Sequence, residues 1–397
     1  MTEMNYILFD NPNRNDLLPL TFTRPVADIR IGILTIREKW EKRLNAKTSL
    51  LTEDYLSVKY PIVKGTQNIL INGSICPNDK LVNLIKKLKS NQALVHEDYL
   101  IAIHLNEKDV ENFKSAENIE DVETDEPHIK INNLWEIFSK NAQAIQEDFE
   151  LITKNRKSKN LSATNTLINP EQIFVENDAK VECAVLNATE GPIYIGSGAE
   201  IMEGSVVRGP FALCEHATLK MSAKIYGPTT IGPYSKVGGE VNNSVIFGFS
   251  NKAHDGFLGN SVIGEWCNIG ADSNNSNLKN NYAEVKLWNY PQKKFLPTGL
   301  QFCGLIMGDY SKCGINTMFN TGTVVGVSAN IFGHGYQRNF VPSFSWGNSL
   351  TGFSTFDIDK AIEVSEKVFE RRKMIFDETE KNILRSVFEL TREYRLL

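Results

Sequence analysis

The stretch IGSGAE-IMEGSV-VRGPFA-LCEHAT-LKMSAK-IYGPTT-IGPYSK-V, residues 195–237, carries an aliphatic residue at every sixth position: Ile195, Ile201, Val207, Leu213, Leu219, Ile225, Ile231 and Val237. A step of six is neither the helical period of about 3.6 nor the strand period of about 2. It is the repeat of a solenoid in which three short strands close one coil and each strand turns one residue inward. The step returns at Met307, Cys313, Phe319, Val325 and Ile331, and Ile263 and Ile269 keep it in between. The expectation is a left-handed parallel β-helix of hexapeptide repeats over residues 167–350.

Working outward, residues 133–154 have the spacing of one amphipathic helix (Leu134, Ile137, Phe138, Ala142, Ile145, Phe149), followed by a polar linker from Arg156. Together, residues 133–166 read as a connector. Residues 1–132 alternate strand-like and helix-like segments, which predicts a small α/β domain with a partly parallel sheet. Its elements are a strand at Tyr6–Asp10, a helix over Ile31–Leu44, short strands at Ile69–Asn72 and Leu100–His104, and a helix over Lys80–Lys89. At the other end, residues 351–397 hold a terminal helix, with Ile362, Val368, Phe369 and Ile375 on its apolar face.

Bulk properties narrow the function. The chain has 397 residues and a net charge of −5, which argues against a general nucleic-acid binder. No apolar run reaches the ~18 residues of a membrane span. Met1–Asn5 has neither the basic start nor the apolar run of a signal peptide. The six cysteines form no CxxC pair and several fall inside coils, so they read as reduced residues of a cytoplasmic protein.

The six-step breaks at residues 238–256 and again at 272–302. A solenoid has no internal need for excursions, and protruding loops are where function concentrates. His254 lies on the first of them, in Asn251-Lys252-Ala253-His254-Asp255-Gly256, outside any inward slot. A histidine there is either a general base for an attacking amine or hydroxyl, or a satisfied surface residue. Asp255 reads as a turn residue more readily than as its orienting partner. His216, at a coil corner, and His334 are weaker candidates.

Residues 254–277, HDGFLGNSVIGEWCNIGADSNNSN, resemble the acetyltransferase half of the bifunctional glucosamine-1-phosphate acetyltransferase / UDP-N-acetylglucosamine pyrophosphorylase family. That resemblance implies His254 as the catalytic base, with Asn268 as a sugar contact and Ala271 beside the thioester. Asn277 matches the asparagine of the protruding loop. Phe257 stands where the family has a tyrosine, Asn242 where it has a lysine, and Lys224 where it has an arginine. The implied chemistry is acetyl transfer from acetyl-CoA to the amine of a hexosamine phosphate, in nucleotide-sugar synthesis. A backbone N–H near Gly270–Ala271 would hold the oxyanion. Lys252 and Lys224 would hold the sugar phosphate, unless they are solvated charges. The pantetheine arm is expected along Thr317, Ala329 and Phe332 by analogy with the fold.

Residues 14–25 faintly resemble the start of sugar-1-phosphate nucleotidyltransferases, which gives the N-terminal domain its expected nucleotidyltransferase-like (Rossmann-like) fold. Arg14 and Arg24 are the candidate phosphate ligands for a nucleoside triphosphate. The phosphate-cradling glycines are missing, and Asn72-Gly73-Ser74 stands where a metal carboxylate belongs. No metal ligand is therefore expected, and Mg²⁺ enters only if this half is active. A second reading makes the chain a uridylyl- or thymidylyltransferase whose β-helix only trimerises or regulates. A third makes it a non-catalytic binding or assembly protein. A homotrimer is expected because the solenoid flank lacks a partner.

Overall fold

The computed structural model describes residues 4–110 and 112–396. Met1–Glu3, on which the signal-peptide expectation partly rests, lie outside it. The chain forms two compact units. One takes the chain through Leu17, then Thr23–Ile29 and Leu34–Asn132; the other takes Leu18–Phe22, Arg30–Ile33 and everything from Asn133 on.

The first unit is built on a six-stranded mixed sheet. Its strands run in the order Ser49–Leu51, Asn5–Phe9, Gln67–Asn72, Tyr99–Asn106, Gln92–His96, Glu120–Glu123. Asn5–Phe9 is parallel to both neighbours. It buries Tyr6, Ile7, Leu8 and Phe9, the continuous apolar run a strand covered on both faces requires. The helix Ile36–Leu44 begins with a capping box, Thr35 and Glu38 each bonding the other's backbone, and ends at Asn45 in the left-handed conformation. The helical spacing read over Ile31–Leu44 therefore overreached. Arg30–Ile33 belong to the second unit, where the Gly32 N–H donates to Asn141 Oδ1 and the Ile33 N–H to Asp148 Oδ2.

The second unit is a parallel β-helix. Its strands stack in three sheets of six, nine and ten strands. The six-step residues fall into vertical columns, one per sheet. Ile195, Leu213, Ile231, Ile246, Ile263, Met307, Val325 and Val341 pair in succession along one. Nearly all of these are fully buried, and each contributes roughly 1.5–3 kcal/mol by leaving water. The antiparallel strand Gly352–Thr355 closes the stack.

The break read at residues 238–256 is not an excursion. Val241 pairs with Ile225, Ile246 with Ile231 and Lys252 with Val237. The coil continues with shortened corners, so the period is lost while the register survives. The break at 272–302 is a true insertion. It leaves the solenoid after the buried Asn275, forms a hairpin of Lys286–Asn289 and Lys294–Pro297, and returns at Leu305.

Two helices, Ile358–Arg371 and Glu378–Leu390, replace the single terminal helix expected. Lys373 takes a left-handed φ of 57° and ends the first, and the Asp377 side chain caps the second. They lie along one edge of the solenoid, where aromatic corner residues form a ladder. His216, Tyr234, Phe249 and Trp266 stack in sequence, and Phe369 of the first helix stacks on Trp266 at 3.9 Å. Likewise the connector 133–154 is two helices, Glu136–Ser139 and Asn141–Thr153. No helix among the described residues is long and apolar enough to cross a membrane. All six cysteines are unpaired, and all but Cys183 are buried.

Candidate active site

Four successive strands of the ten-stranded sheet, Lys236–Val237, Asn251–Lys252, Asn268–Ile269 and Lys312–Cys313, lie in register. Because side chains alternate along a strand, Lys236, Asn251, Asn268 and Lys312 form a polar column facing outward. This column is the floor of a cavity of about 750 Å³. His254, Gly270, Ala271 and Ile315 line one rim, at the corners that follow the strands, and Val368, Arg371 and Arg372 line the other.

The electrostatics are one-sided. Lys236, Lys312, Arg371 and Arg372 line the cavity and no carboxylate does. Burial pushes the Lys312 ammonium down to about 8, while its Nζ donates to Tyr310 O at 2.9 Å. Burial also lowers Arg372, whose Nη1 donates to Tyr234 O at 2.9 Å. A cluster of cations in a partly dry cleft attracts an anion such as a phosphate.

The expected site residues separate into groups. His254, Asn268, Gly270 and Ala271 meet in this cavity. The His254 side chain is exposed at the rim. Lys224, Asn242 and Phe257 lie on the adjacent six-stranded sheet. There Lys224 pairs with Glu240, Glu240 with Phe257 and Asn242 with Gly259. His254 stands at the corner joining that sheet to the cavity. Asn277 is tied to Asn260, its Nδ2 donating to Oδ1 at 2.8 Å.

Several expectations are overturned. Lys252 does not face solvent: it fills an inward slot, 3 % exposed, with Nζ donating to Gly238 O and His254 O. An ammonium held inside the coil cannot grip a phosphate outside it. Thr317 and Ala329 are likewise buried, so neither lines a pantetheine path; Phe332 remains exposed. The Gly270 N–H donates to Cys313 O at 3.1 Å, so it is not available to an oxyanion. Sequence reasoning missed Lys312, Arg371 and Arg372. The first needed the register across the insertion, and the other two needed the packing of the terminal helix.

In the first unit, Arg14 is engaged by the protein itself. It is buried, with Nε 3.2 Å from Asp10 Oδ2 and Nη2 donating to Tyr55. Burial raises the Asp10 carboxyl, against the bonds from Thr52 and Val26 and the charge of Arg14. Arg24 is buried as well. At the position expected for a metal carboxylate, Asn11 Nδ2 donates to Asn72 Oδ1 and Ser74 Oγ, and Ser74 Oγ donates to Asn72 Oδ1. This donor set is neutral and largely bonded to itself, with Asn11 Oδ1 left without a partner, and for want of a carboxylate it does not fit Mg²⁺. Among the described residues no cluster of three His, Cys, Asp or Glu gathers.

Residues 6–157 match the family model described as sugar nucleotidyl transferase. The chain is 28 % identical over 162 residues to the bifunctional sugar-1-phosphate nucleotidylyltransferase/acetyltransferase of Sulfurisphaera tokodaii, covering 40 % of this chain and 39 % of that protein. It is 29 % identical over 168 residues to the bifunctional protein GlmU of Methanocaldococcus jannaschii, covering 42 % and 33 %. The chain thus spans well under half the length of the curated relatives it matches. A solved structure, an Arabidopsis UDP-N-acetylglucosamine acyltransferase, matches over 54 % of this chain and 80 % of its own at 13 % identity, with a TM-score of 0.20. The resemblance drawn from the sequence is borne out by these matches: an N-terminal nucleotidyltransferase-like domain, and relatives whose names combine nucleotidyl and acetyl transfer.

Proposed function

We propose that the β-helix unit is an acetyl-CoA-dependent N-acetyltransferase acting on an amino-sugar phosphate of the glucosamine-1-phosphate kind. The observation that carries this reading is His254, exposed at the rim of a cavity lined by four cations and no carboxylate. The amine nitrogen attacks the thioester carbonyl while the His254 imidazole takes its proton. The Ala271 N–H faces the developing oxyanion, and the C–S bond then breaks to release the coenzyme A thiolate, which recovers the proton. The cationic wall holds phosphate. Lys224, Asn242, Phe257 and Asn277, around the corner from the cavity, form the outer edge of the acceptor site. The reading places the enzyme in the cytoplasm as a homotrimer in nucleotide-sugar biosynthesis.

The test is thiol release from acetyl-CoA with glucosamine-1-phosphate. Wild type should turn over, and His254→Ala should lose ~10²-fold or more, as for removal of a general base. No release by wild type with this or other amino-sugar phosphates would sink the reading.

The family match of residues 6–157 favours a second activity, uridylyl or thymidylyl transfer to a sugar-1-phosphate. Its test is pyrophosphate release from a nucleoside triphosphate and a sugar-1-phosphate in the presence of Mg²⁺. The internal pairing of Arg14 and the neutral Asn11–Asn72–Ser74 network speak for a slow reaction or none.

A further inference from the structure

Inward slots of this β-helix are aliphatic with few exceptions. In the column that runs Ile201, Leu219, Val237, the next residue is Lys252. A buried ammonium costs several kcal/mol of lost hydration unless its protons are fully used. Here Nζ donates to His254 O at 2.7 Å and to Gly238 O at 3.0 Å. The two acceptors belong to corners of successive coils, and one is the peptide that carries His254. That corner is tight elsewhere too. Gly256 has φ +117°, and a Cβ there would strike the carbonyl of Ser273; a Cβ on Gly239 would strike His254 O.

We propose that Lys252 is a positioning residue for His254: from inside the coil its ammonium holds the His254 carbonyl and so fixes the direction in which the imidazole projects over the cavity. The inference rests on the acyl-transfer reading above. The role suits the geometry, because an aliphatic side chain would fill the slot but leave both corner carbonyls without this donor. The charged and titratable groups that face Lys252 are Asp255 on its own loop and Asp272 and Cys313 from the following coils; the preceding strand offers Val237. Burial pushes the Lys252 ammonium down to about 8, so the clamp is at full charge below that pH.

The experiment is a double-mutant cycle on the intact chain, with kcat and KM read from thiol release and amide hydrogen exchange read at residues 253–257. Lys252→Met should lower kcat about 10- to 100-fold, leave KM for acetyl-CoA within about twofold and speed exchange at that corner. In the His254→Ala background the same substitution should cost nothing further, because Lys252 acts through His254. An unchanged kcat in Lys252→Met, or an equal loss in both backgrounds, would overturn the proposal. If wild type shows no acetyl transfer, the parent reading fails and exchange alone judges the clamp: unchanged exchange in Lys252→Met refutes it. If Lys252→Met does not fold, exchange in wild type decides. Slow exchange at 253–257 supports the clamp, and exchange there as fast as in an unstructured peptide refutes it.

Discussion

His254 projects from a corner whose neighbouring backbone is already committed, whereas the cations around it owe their state to burial. Lys312 shows the consequence. Burial brings its ammonium from the usual 10.5 down to about 8. Between those values the folded chain binds fewer protons than the unfolded one, so stability rises with pH across that window. Below about 8 the cost of the buried charge is present in full. Lys312→Met removes the titrating group. Its Tm advantage over wild type should therefore be largest near pH 7 and shrink toward pH 10, as calorimetry at several pH values would show; a difference independent of pH would refute the assignment. At this scale the sequence was partly legible. His254 announced itself because a local run of matched positions surrounds it. Lys252 was misread because its slot follows Val237 by fifteen residues, not eighteen, through shortened corners that break the visible period while the hydrogen-bonded register continues. Arg14 was misread because its partners Asp10, Glu53 and Tyr55 come together only in the fold.

Among the elements, the helix Ile358–Arg371 matters most to the site, since its C-terminal turn supplies Val368 and Arg371, and Arg372 follows. What holds it there is the aromatic edge of the solenoid. Phe369 is 4 % exposed, lies on Trp266 and meets Phe376 at 4.9 Å. Corner residues Tyr234, Phe249, Trp266 and Tyr310 all have φ near 60°, a conformation uncommon for bulky residues; the first three stack ring on ring, and Tyr310 meets Phe369 and Phe376 instead. Phe369→Ala should cost about 3–5 kcal/mol in urea unfolding of this unit, the range for emptying a buried aromatic site. It should also raise KM for the anionic substrate, because the arginines lose their mooring while His254 keeps its own. A loss below about 1 kcal/mol would mean the helix is held elsewhere. Although Ile375, read onto the same face, lies beyond the helix and is 86 % exposed, the amphipathic face of this segment was readable from its spacing at Ile362 and Phe369. Its break at Lys373 was not, because the left-handed residue is a lysine and carries no glycine signal. Nor was the ladder, whose successive members stand 15 to 18 residues apart and share only a corner.

For the molecule as a whole, the open question is what meets the strip of β-helix surface that begins at the cavity. Ile315 lines that cavity and is 69 % exposed. Above it the corners stack closely. Gly270 lies under Gly314, Gly314 under Phe332, and the Phe332 ring meets Trp346 at 5.1 Å. Phe332, Trp346 and Leu350 all remain exposed. A run of exposed apolar side chains beside a cation-lined cavity marks an interface or a ligand path. The step of six made the solenoid legible, yet it describes only inward residues, so this outward strip had no sequence signature. If neighbouring copies cover it, light scattering should give a multiple of 44.7 kDa, three-fold by the trimer reading. Phe332→Glu should then return the protein to a monomer, and thiol release should fall with assembly because the strip borders the cavity. The substitution separates the two occupants. A trimer that survives Phe332→Glu with KM for acetyl-CoA raised would assign the strip to the pantetheine arm. A wild-type monomer with full activity would remove subunit assembly from the mechanism and leave the cavity complete within one chain.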